Sequence, residues 1–462
     1  MTEPNYISYK DSAARVVKIE NKYFRYLFDE YKAEYDHLMQ SGLYQALTEK
    51  KLLIEHQEIE VDSDKKNIYK KLYPAQIKFL SYPFEWSFTQ WRKAALSYLR
   101  INQIALKHGM ILKDATPYNF YLTGGKAIMF DTSSFDFFKE NDRWNAYKQF
   151  CEEFLGPIVL MRNNGSFWGR LAISTLNGLP LNFVSKQLPF KSWFNLTTLL
   201  HIHLHSKYYS NNRLDKDKIN RRGFTIEKIS LLQELIYNSI YKWKKAYQYN
   251  DHWNSYYDND IESSEYLNEK EAVIRKWLET IKPSSVVDLG ANTGRFSFIA
   301  REYAEHVIAL EEDHHCVDII EKRIVALNCN NVVALIGNLS EPTPNLGLLN
   351  KEKENIYSRA NSQMALGLAL THHLYITNKM SFNQIAEIFN SFSSEYVIME
   401  FIGSEDSKVE ILTRNCKDRL NAYNEVNCIA SMKKYFNLVE SKKIEETHRT
   451  LYLFKKGLNE NI

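Results

Sequence analysis

VVDLGANTGRF, residues Val286 to Phe296, reads as a strand, a tight turn and the start of a helix. Val286 and Val287 run into Asp288 and Leu289, Gly290 and Gly294 bracket Asn292, and a helical pattern, RFSFIAREYA, follows Gly294. Glycine serves where the backbone takes unusual dihedrals or approaches a ligand closely, and the free N–H groups of the next helix favour polar or anionic ligand groups. A nucleotide-like cofactor suits such a turn. A second strand, HVIALEED, begins at His306 and brings Glu311 to its end, 23 residues beyond Asp288; a carboxylate there accepts from both hydroxyls of a ribose. A third apolar run, VVALIG, leads to Asn338, and a fourth, MALGLAL, leads to Thr371, His372 and His373. Asp288, Gly290, Gly294, Glu311, Asn338 and His372 are thus expected at successive strand ends. Strands alternating with helices predict an α/β domain with a mostly parallel sheet and a ligand crevice at the strands' C-terminal ends. A dinucleotide dehydrogenase is the competing reading, but the third glycine of G-x-G-x-x-G is missing and Asn292 replaces the second.

VVDLGANTGRFSFIA resembles the first motif of class I S-adenosylmethionine-dependent methyltransferases, which have a Rossmann-like fold. The resemblance implies S-adenosylmethionine as cofactor. Glu311 is then similar to the family's ribose-binding acid, Asp288 with the glycine loop Gly290, Asn292 and Gly294 faces the methionine part, and Asn338 with Leu339 flanks adenine. Many relatives carry Asp where Asn338 stands; the amide oxygen still accepts. Gln363 stands where an acidic residue commonly opens the fourth strand, a difference expected to affect local packing. Methyl transfer from a sulfonium is an in-line displacement that asks the enzyme to orient and dehydrate the nucleophile. For a hydroxyl acceptor, His372 or His373 is the best-placed base, since histidine titrates near neutrality; the alternative is that both merely shape the pocket.

At 462 residues the chain exceeds one ordinary hydrophobic core, so two or three domains are expected. The balance of 59 basic and 56 acidic residues gives no general drive toward nucleic acid or anionic membrane, and short basic clusters such as Lys65, Lys66, Lys70, Lys71 and Arg221, Arg222 read as solvated surface. No nucleic-acid partner is expected. Five scattered cysteines, Cys151, Cys316, Cys329, Cys416 and Cys428, have neither Cys-x-x-Cys nor zinc spacing and read as buried thiols. The N-terminus lacks the apolar core of a signal peptide and no window is apolar enough to span a bilayer, so a cytoplasmic location is expected. Nothing in the sequence speaks to oligomeric state.

The front half predicts α+β material: extended pieces ARVVKI and YFRYLF, a helix over EYKAEYDHLMQSGLYQAL, and an amphipathic helix TQWRKAALSYLRINQIALKH ending at Gly109. Residues 140–250 read as a helical lobe. The boundaries placed on this pattern are 1–250 for the front domain, 251–262 for a junction and 263–462 for the Rossmann-like domain. Trp253, Tyr256 and Tyr257 in or near that junction are second-tier candidates for closing over an acceptor. His201, His203 and His205 lack an acidic third ligand in zinc-motif spacing and read as packing. In ILKDATPYNFYLTGGKAIMFDTSSFDF, Asp114 is followed five residues later by Asn119 and twelve further on by Asp131, with Gly124 and Gly125 turning a hairpin between them.

That spacing resembles a protein-kinase catalytic loop and metal-binding aspartate. The resemblance implies Asp114 positioning a hydroxyl, and Asn119 with Asp131 holding Mg2+ against ATP, if the site is active. Lys113 stands where arginine is usual, Thr132 and Ser133 stand where Phe-Gly is usual, and no glycine-rich loop precedes; Lys18 or Arg25, partnered by Glu34, are the available substitutes for the missing lysine. A working phosphotransferase, a nucleotide or substrate binder and an inert scaffold all remain open for this half.

Together, ILKDATPYNF, AYKQFCEEFLGPIVLM, VVDLGANTGRFS, LALTHHL and IMEFIGSEDSKVEIL resemble a bacterial family of fused methyltransferases that includes relatives of a rhizobial host-specific nodulation protein. The resemblance, over Tyr73 to Lys455, implies methylation of oxygen or nitrogen on a small molecule or saccharide. A bifunctional kinase-methyltransferase acting on a glycan and a non-catalytic nucleotide-binding scaffold are the alternatives.

Overall fold

Two short strands rich in β-branched and aromatic residues, β1 (Ala14–Ile19) and β2 (Lys22–Phe28), form the first hairpin across the left-handed pair Glu20 and Asn21. The computed structural model describes residues 11–61, 67–140, 144–211, 224–247, 264–413 and 422–457. The chain separates into two units, Met1–Tyr249 and Asn250–Ile462. Lys65, Lys66, Arg221, Arg222, Trp253, Tyr256, Tyr257 and Cys416 lie outside the described residues.

In the first unit β1 and β2 join β3 (His56–Ile59) and β4 (Ile68–Pro74) in an antiparallel sheet of order β1-β2-β4-β3. The single helix expected over EYKAEYDHLMQSGLYQAL is two, α1 (Lys32–Gln40) and α2 (Leu43–Glu49). Gly42 takes a left-handed φ of 79° between them, which a continuous helix does not allow. α3 (Phe88–Lys107) is capped by Ser87 and Gln90 and buries Trp91, Ala94, Ala95, Tyr98, Leu99 and Asn102. Asn102 Oδ1 accepts from Leu112 N–H at 2.7 Å, fixing β5 (Met110–Leu112) and the Lys113–Asp114 segment that follows against that helix. Gly124 and Gly125, with φ of 54° and 69°, turn β6 (Phe120–Thr123) into β7 (Lys126–Met129), and β8 (Phe135–Phe137) returns beside β5. Between these two strand pairs lies Asp131. Beyond β8 most of the described residues of this unit are helical.

The second unit is a seven-stranded, mostly parallel sheet. Its strands are β9 (Ser285–Leu289), β10 (His306–Glu311), β11 (Val332–Ile336), β12 (Ser362–Gly367), β13 (Ser393–Ile402), β14 (Phe436–Lys443) and β15 (Arg449–Lys456). Their order is β11-β10-β9-β12-β13-β15-β14, with β15 antiparallel to both neighbours. Successive strands are added outward in one direction from β9 to β11 and in the other from β12 onward, so the switch point where doubly wound sheets open a ligand crevice lies between parallel β9 and β12. The central strands read as nearly unbroken apolar runs because helices cover both faces; Val286, Val307, Val332, Met364 and Ile398 share one core with Ile274 and Trp277.

The fourth strand ends earlier than expected. β12 stops at Gly367, where an added Cβ would lie 2.3 Å from Phe389, and Ala369 turns left-handed at φ 51° with its N–H donated to Glu400. Thr371 and His372 therefore lead into the helical turn His373–Thr377 rather than ending a strand.

Candidate functional site

Two of the expected cofactor-site elements, the loop after β9 and the acid ending β10, meet beside the switch point. The loop after β9 is fixed to β10 by Gly290 N–H and Ala291 N–H, which both donate to Leu310 O at 2.9 and 3.1 Å. Glu311 Oε2 then accepts Asn292 N–H at 2.6 Å and Glu311 Oε1 accepts Asp313 N–H at 2.9 Å. Glycine loop and acid thus form one rim. Burial raises the Glu311 pKa, against the pull of those backbone donors. Each carboxylate oxygen still has a lone pair for a ribose hydroxyl. Gly290 has φ 71°, and a Cβ there would sit 3.2 Å from Leu370 of the β12 loop, so the cleft between the two loops is narrow. Gly294, at φ 81°, abuts Phe298 and Ile320, where a Cβ would lie 3.1 and 2.9 Å away.

Asp288 is buried below this rim. Its Oδ2 accepts from Ser297 Oγ at 2.5 Å, joining the strand to the helix Arg295–Ala300. Burial raises its pKa to about 6, opposed by Ser297 and by the Lys270 charge. Asn338 behaves differently from the sequence expectation: its amide oxygen accepts from Ser340 N–H and Glu341 N–H at 2.7 and 3.2 Å, and its Nδ2 donates to Glu312 at 2.6 Å. The amide organises its own loop. Leu339 beside it is buried, at 9% exposure. Gln363 does serve packing, bridging Ser284 N–H at 2.7 Å and Glu395 at 2.8 Å.

His372 is 1% exposed, and neither of its ring nitrogens has a hydrogen-bond partner. The ring of His373 lies 4.2 Å away and reaches the surface. Burial lowers the pKa of both, reinforced at His372 by His373, Arg449, Lys408 and Lys270, and at His373, which falls to about 4, by Lys408. Both imidazoles are neutral at pH 7.

Sequence reading missed the charged group beside them. Lys270 Nζ pairs with Glu400 Oε2 at 2.6 Å, with side-chain exposures of 4% and 0%. Tyr266 O–H donates to Glu400 Oε1 at 2.6 Å and accepts from Lys270 and from Arg449 Nη1 at 3.1 and 2.7 Å; Arg449 Nε in turn pairs with Asp406 at 2.9 Å. Tyr266 and Lys270 lie one turn apart on the helix Ser264–Ile281, so this network fastens that helix over the ends of β12 and β13. Its members come from four separate stretches, and no local pattern marks them.

In the first unit, Asn119 Nδ2 donates to Asp131 Oδ2 at 3.2 Å. Asp131 is otherwise saturated: it pairs with Arg25 at 2.6 Å and accepts from Ser133 N–H, Ser133 Oγ and Ser134 Oγ at 3.0, 2.6 and 2.7 Å. Burial opposes ionisation, but Arg25 and the serines outweigh it and hold the carboxyl below its ordinary pKa. Of the two substitutes for the missing lysine, Arg25 makes this contact while Lys18 lies over the Tyr23 ring. Asp114 reaches solvent, yet the protein packed around it raises its pKa, with Lys113 pulling the other way. His203 is held by Ser185 and Ser192, both at 2.8 Å, and His201 by Tyr147 at 2.6 Å. Among the described residues no group of three or more His, Cys, Asp or Glu side chains is placed to hold a metal ion. The described cysteines Cys151, Cys316, Cys329 and Cys428 are buried and form no disulfide.

No family model matches the chain. It is 28% identical over 386 residues to nodulation protein NoeA of Rhizobium meliloti (strain 1021), covering 82% of this chain and 80% of that protein. Solved structures with some similarity include the N-methyltransferase NodS from Bradyrhizobium japonicum WM9, at 8% identity and TM-score 0.32, over 42% of this chain and 99% of NodS. Magnesium protoporphyrin IX methyltransferase (ChlM) from Synechocystis PCC 6803 with bound SAH gives 12% identity and TM-score 0.32, over 44% of this chain and 93% of ChlM.

Two substitutions test the electrostatics of the second unit. Lys270→Met strands a buried carboxylate and is expected to cost about 3–5 kcal/mol by chemical denaturation, much of it recovered in Lys270→Met/Glu400→Gln; equal losses in both variants would mean the pair is not coupled. Because the folded pKa of Asp288 lies above its unfolded value, its contribution is fully present below pH 3.8 and is lost as pH rises through about 6. Relative to Asp288→Asn, the ligand-free protein should therefore lose about 3 kcal/mol between about pH 4 and pH 7. A pH-independent difference would place the titration elsewhere.

Proposed function

We propose that the second unit binds S-adenosylmethionine and methylates oxygen or nitrogen of a small molecule or saccharide. The observation that carries this reading is the single rim made by Glu311 with the Gly290–Asn292 loop, joined at 2.6 Å. The donor set fits the cofactor. Glu311 offers acceptor oxygens to the ribose, Gly290 to Gly294 leave backbone rather than side chain facing the methionine part, and Leu339 offers an apolar flank to adenine. Buried Asp288 braces the loop from beneath through Ser297.

When bound, S-adenosylmethionine supplies an electrophilic methyl group that leaves sulfur with the bonding pair retained there. The chain's part is to orient the acceptor and exclude water. His373 is half-buried and neutral, and in this reading one of its ring nitrogens accepts the proton of an acceptor hydroxyl or amine as the new bond forms. His372 stands behind it with both nitrogens unpartnered, kept neutral by burial and by the surrounding cations.

A second reading concerns the first unit. The Asn119–Asp131 contact favours a Mg2+-dependent phosphotransferase with Asp114 positioning the hydroxyl, so that the chain acts as a bifunctional kinase-methyltransferase. Mg2+ at Asp131 then has to displace Arg25. A non-catalytic role for both units is the remaining alternative.

In calorimetry the protein should bind S-adenosylmethionine, with a stabilisation of about 2.7 kcal/mol at a hundredfold excess over Kd. Glu311→Gln should weaken binding about tenfold through one lost charged acceptor. His373→Ala should retain binding and lose transfer of labelled methyl to cell-extract acceptors; full binding by Glu311→Gln would show the pocket to be misplaced. For the first unit, Mg2+-dependent ATP consumption lost in Asp131→Ala supports the bifunctional reading, and no consumption by the intact protein rejects it.

A further inference from the structure

From Phe154 to Leu214 the chain has not one Asp or Glu, although 56 occur in its 462 residues. The same stretch carries Arg162, Arg170, Lys186, Lys191, Lys207 and Arg213. The described carboxylates that follow it in the unit, Glu227 and Glu234, belong to the helix Ile226–Lys242. Within the acid-free stretch the turn Phe190–Phe194 holds its two terminal phenylalanines out to solvent, at 76% and 81% exposure, with Leu196 at 66% just beyond. Large apolar side chains so exposed and so close together mark a contact surface.

The turn is rigidly mounted. Ser192, at its centre, is buried and bonds to His203 Nε2 at 2.8 Å, while the Trp193 ring stacks on His203 at 4.1 Å. Phe190 and Phe194 pack edge to face with centroids 5.6 Å apart, so they project as a pair. Cations flank them: Lys191 Nζ lies 5.2 Å from the Tyr247 ring, which follows exposed Lys244 and Lys245, and Lys207 Nζ lies 4.8 Å from the Trp193 ring.

We propose that this face docks the first unit on an anionic phospholipid bilayer, with Phe190 and Phe194 entering the headgroup boundary and the lysines meeting lipid phosphates. Paired aromatics between lysines, without a nearby carboxylate in the sequence, are the composition of an interfacial anchor. A second copy in an isologous contact would set one lysine rim against another, which like-charge repulsion disfavours. No described helix is long and apolar enough to cross a membrane, so the contact is one of surface attachment.

The test is sedimentation of the full-length protein with vesicles of phosphatidylcholine alone or mixed with phosphatidylglycerol. The protein should pellet with the mixed vesicles, less so at high salt. Phe190→Ser/Phe194→Ser should reduce pelleting about tenfold or more, Lys191→Glu/Lys207→Glu should remove the preference for phosphatidylglycerol, and both variants should keep the wild-type thermal melt. Wild-type protein left in the supernatant, or undiminished pelleting by the phenylalanine variant, overturns the proposal. So does a dimer in gel filtration that the same variant dissolves, which would assign the face to a second copy.

Discussion

One carboxylate organises the C-terminal ends of β9 and β10 in the second unit. Glu311 receives the backbone N–H of Asn292 on one oxygen and that of Asp313 on the other, so the turn after β9 and the turn after β10 are set by the same side chain. Burial makes an unpartnered carboxylate costly, which is why both oxygens are claimed by backbone donors. The strand order places these two turns beside each other, and Asp288 with Ser297 holds the first from below. Any ligand read into this crevice depends on that arrangement.

A second cluster of buried charge ties the helix Ser264–Ile281 to β13. Lys270 and Glu400 lie 2.6 Å apart, with Tyr266, Arg449 and Asp406 completing the network. Removing charges from water is unfavourable by itself, and such a group persists when each member is satisfied by the others. It leaves His372 among cations without a hydrogen-bond partner, an imidazole held neutral by burial and by those charges.

Local chemistry was legible in the sequence where it was decided locally. VVDLGANTGRF announces its turn because Gly290 and Gly294 take left-handed dihedrals, and Gly124–Gly125 announces a hairpin for the same reason. The break at Gly42 was carried by the same signal but masked by apolar spacing that continues through it. His372 and His373 sit in a helical turn because Ala369 leaves the strand conformation to give its N–H to Glu400, 31 residues away in sequence. Asn338 spends its amide on its own loop, a choice that depends on Glu312 and the two following N–H groups rather than on strand position. Tyr266, Lys270, Glu400 and Arg449 were not legible at all, since tyrosine, lysine, glutamate and arginine read singly as surface. In the first unit Asn119 and Asp131, twelve residues apart, meet across the β6–β7 hairpin that Gly124 and Gly125 turn, whereas the ion pair with Arg25 needed the sheet to carry residue 25 across.

The most direct measurement is a crystal structure of the protein with S-adenosylhomocysteine. Ribose hydroxyls on Glu311, with the amino-acid end over Gly290, is the result this account predicts. Ligand bound on another surface, or a crevice that stays empty at saturating ligand, would contradict it.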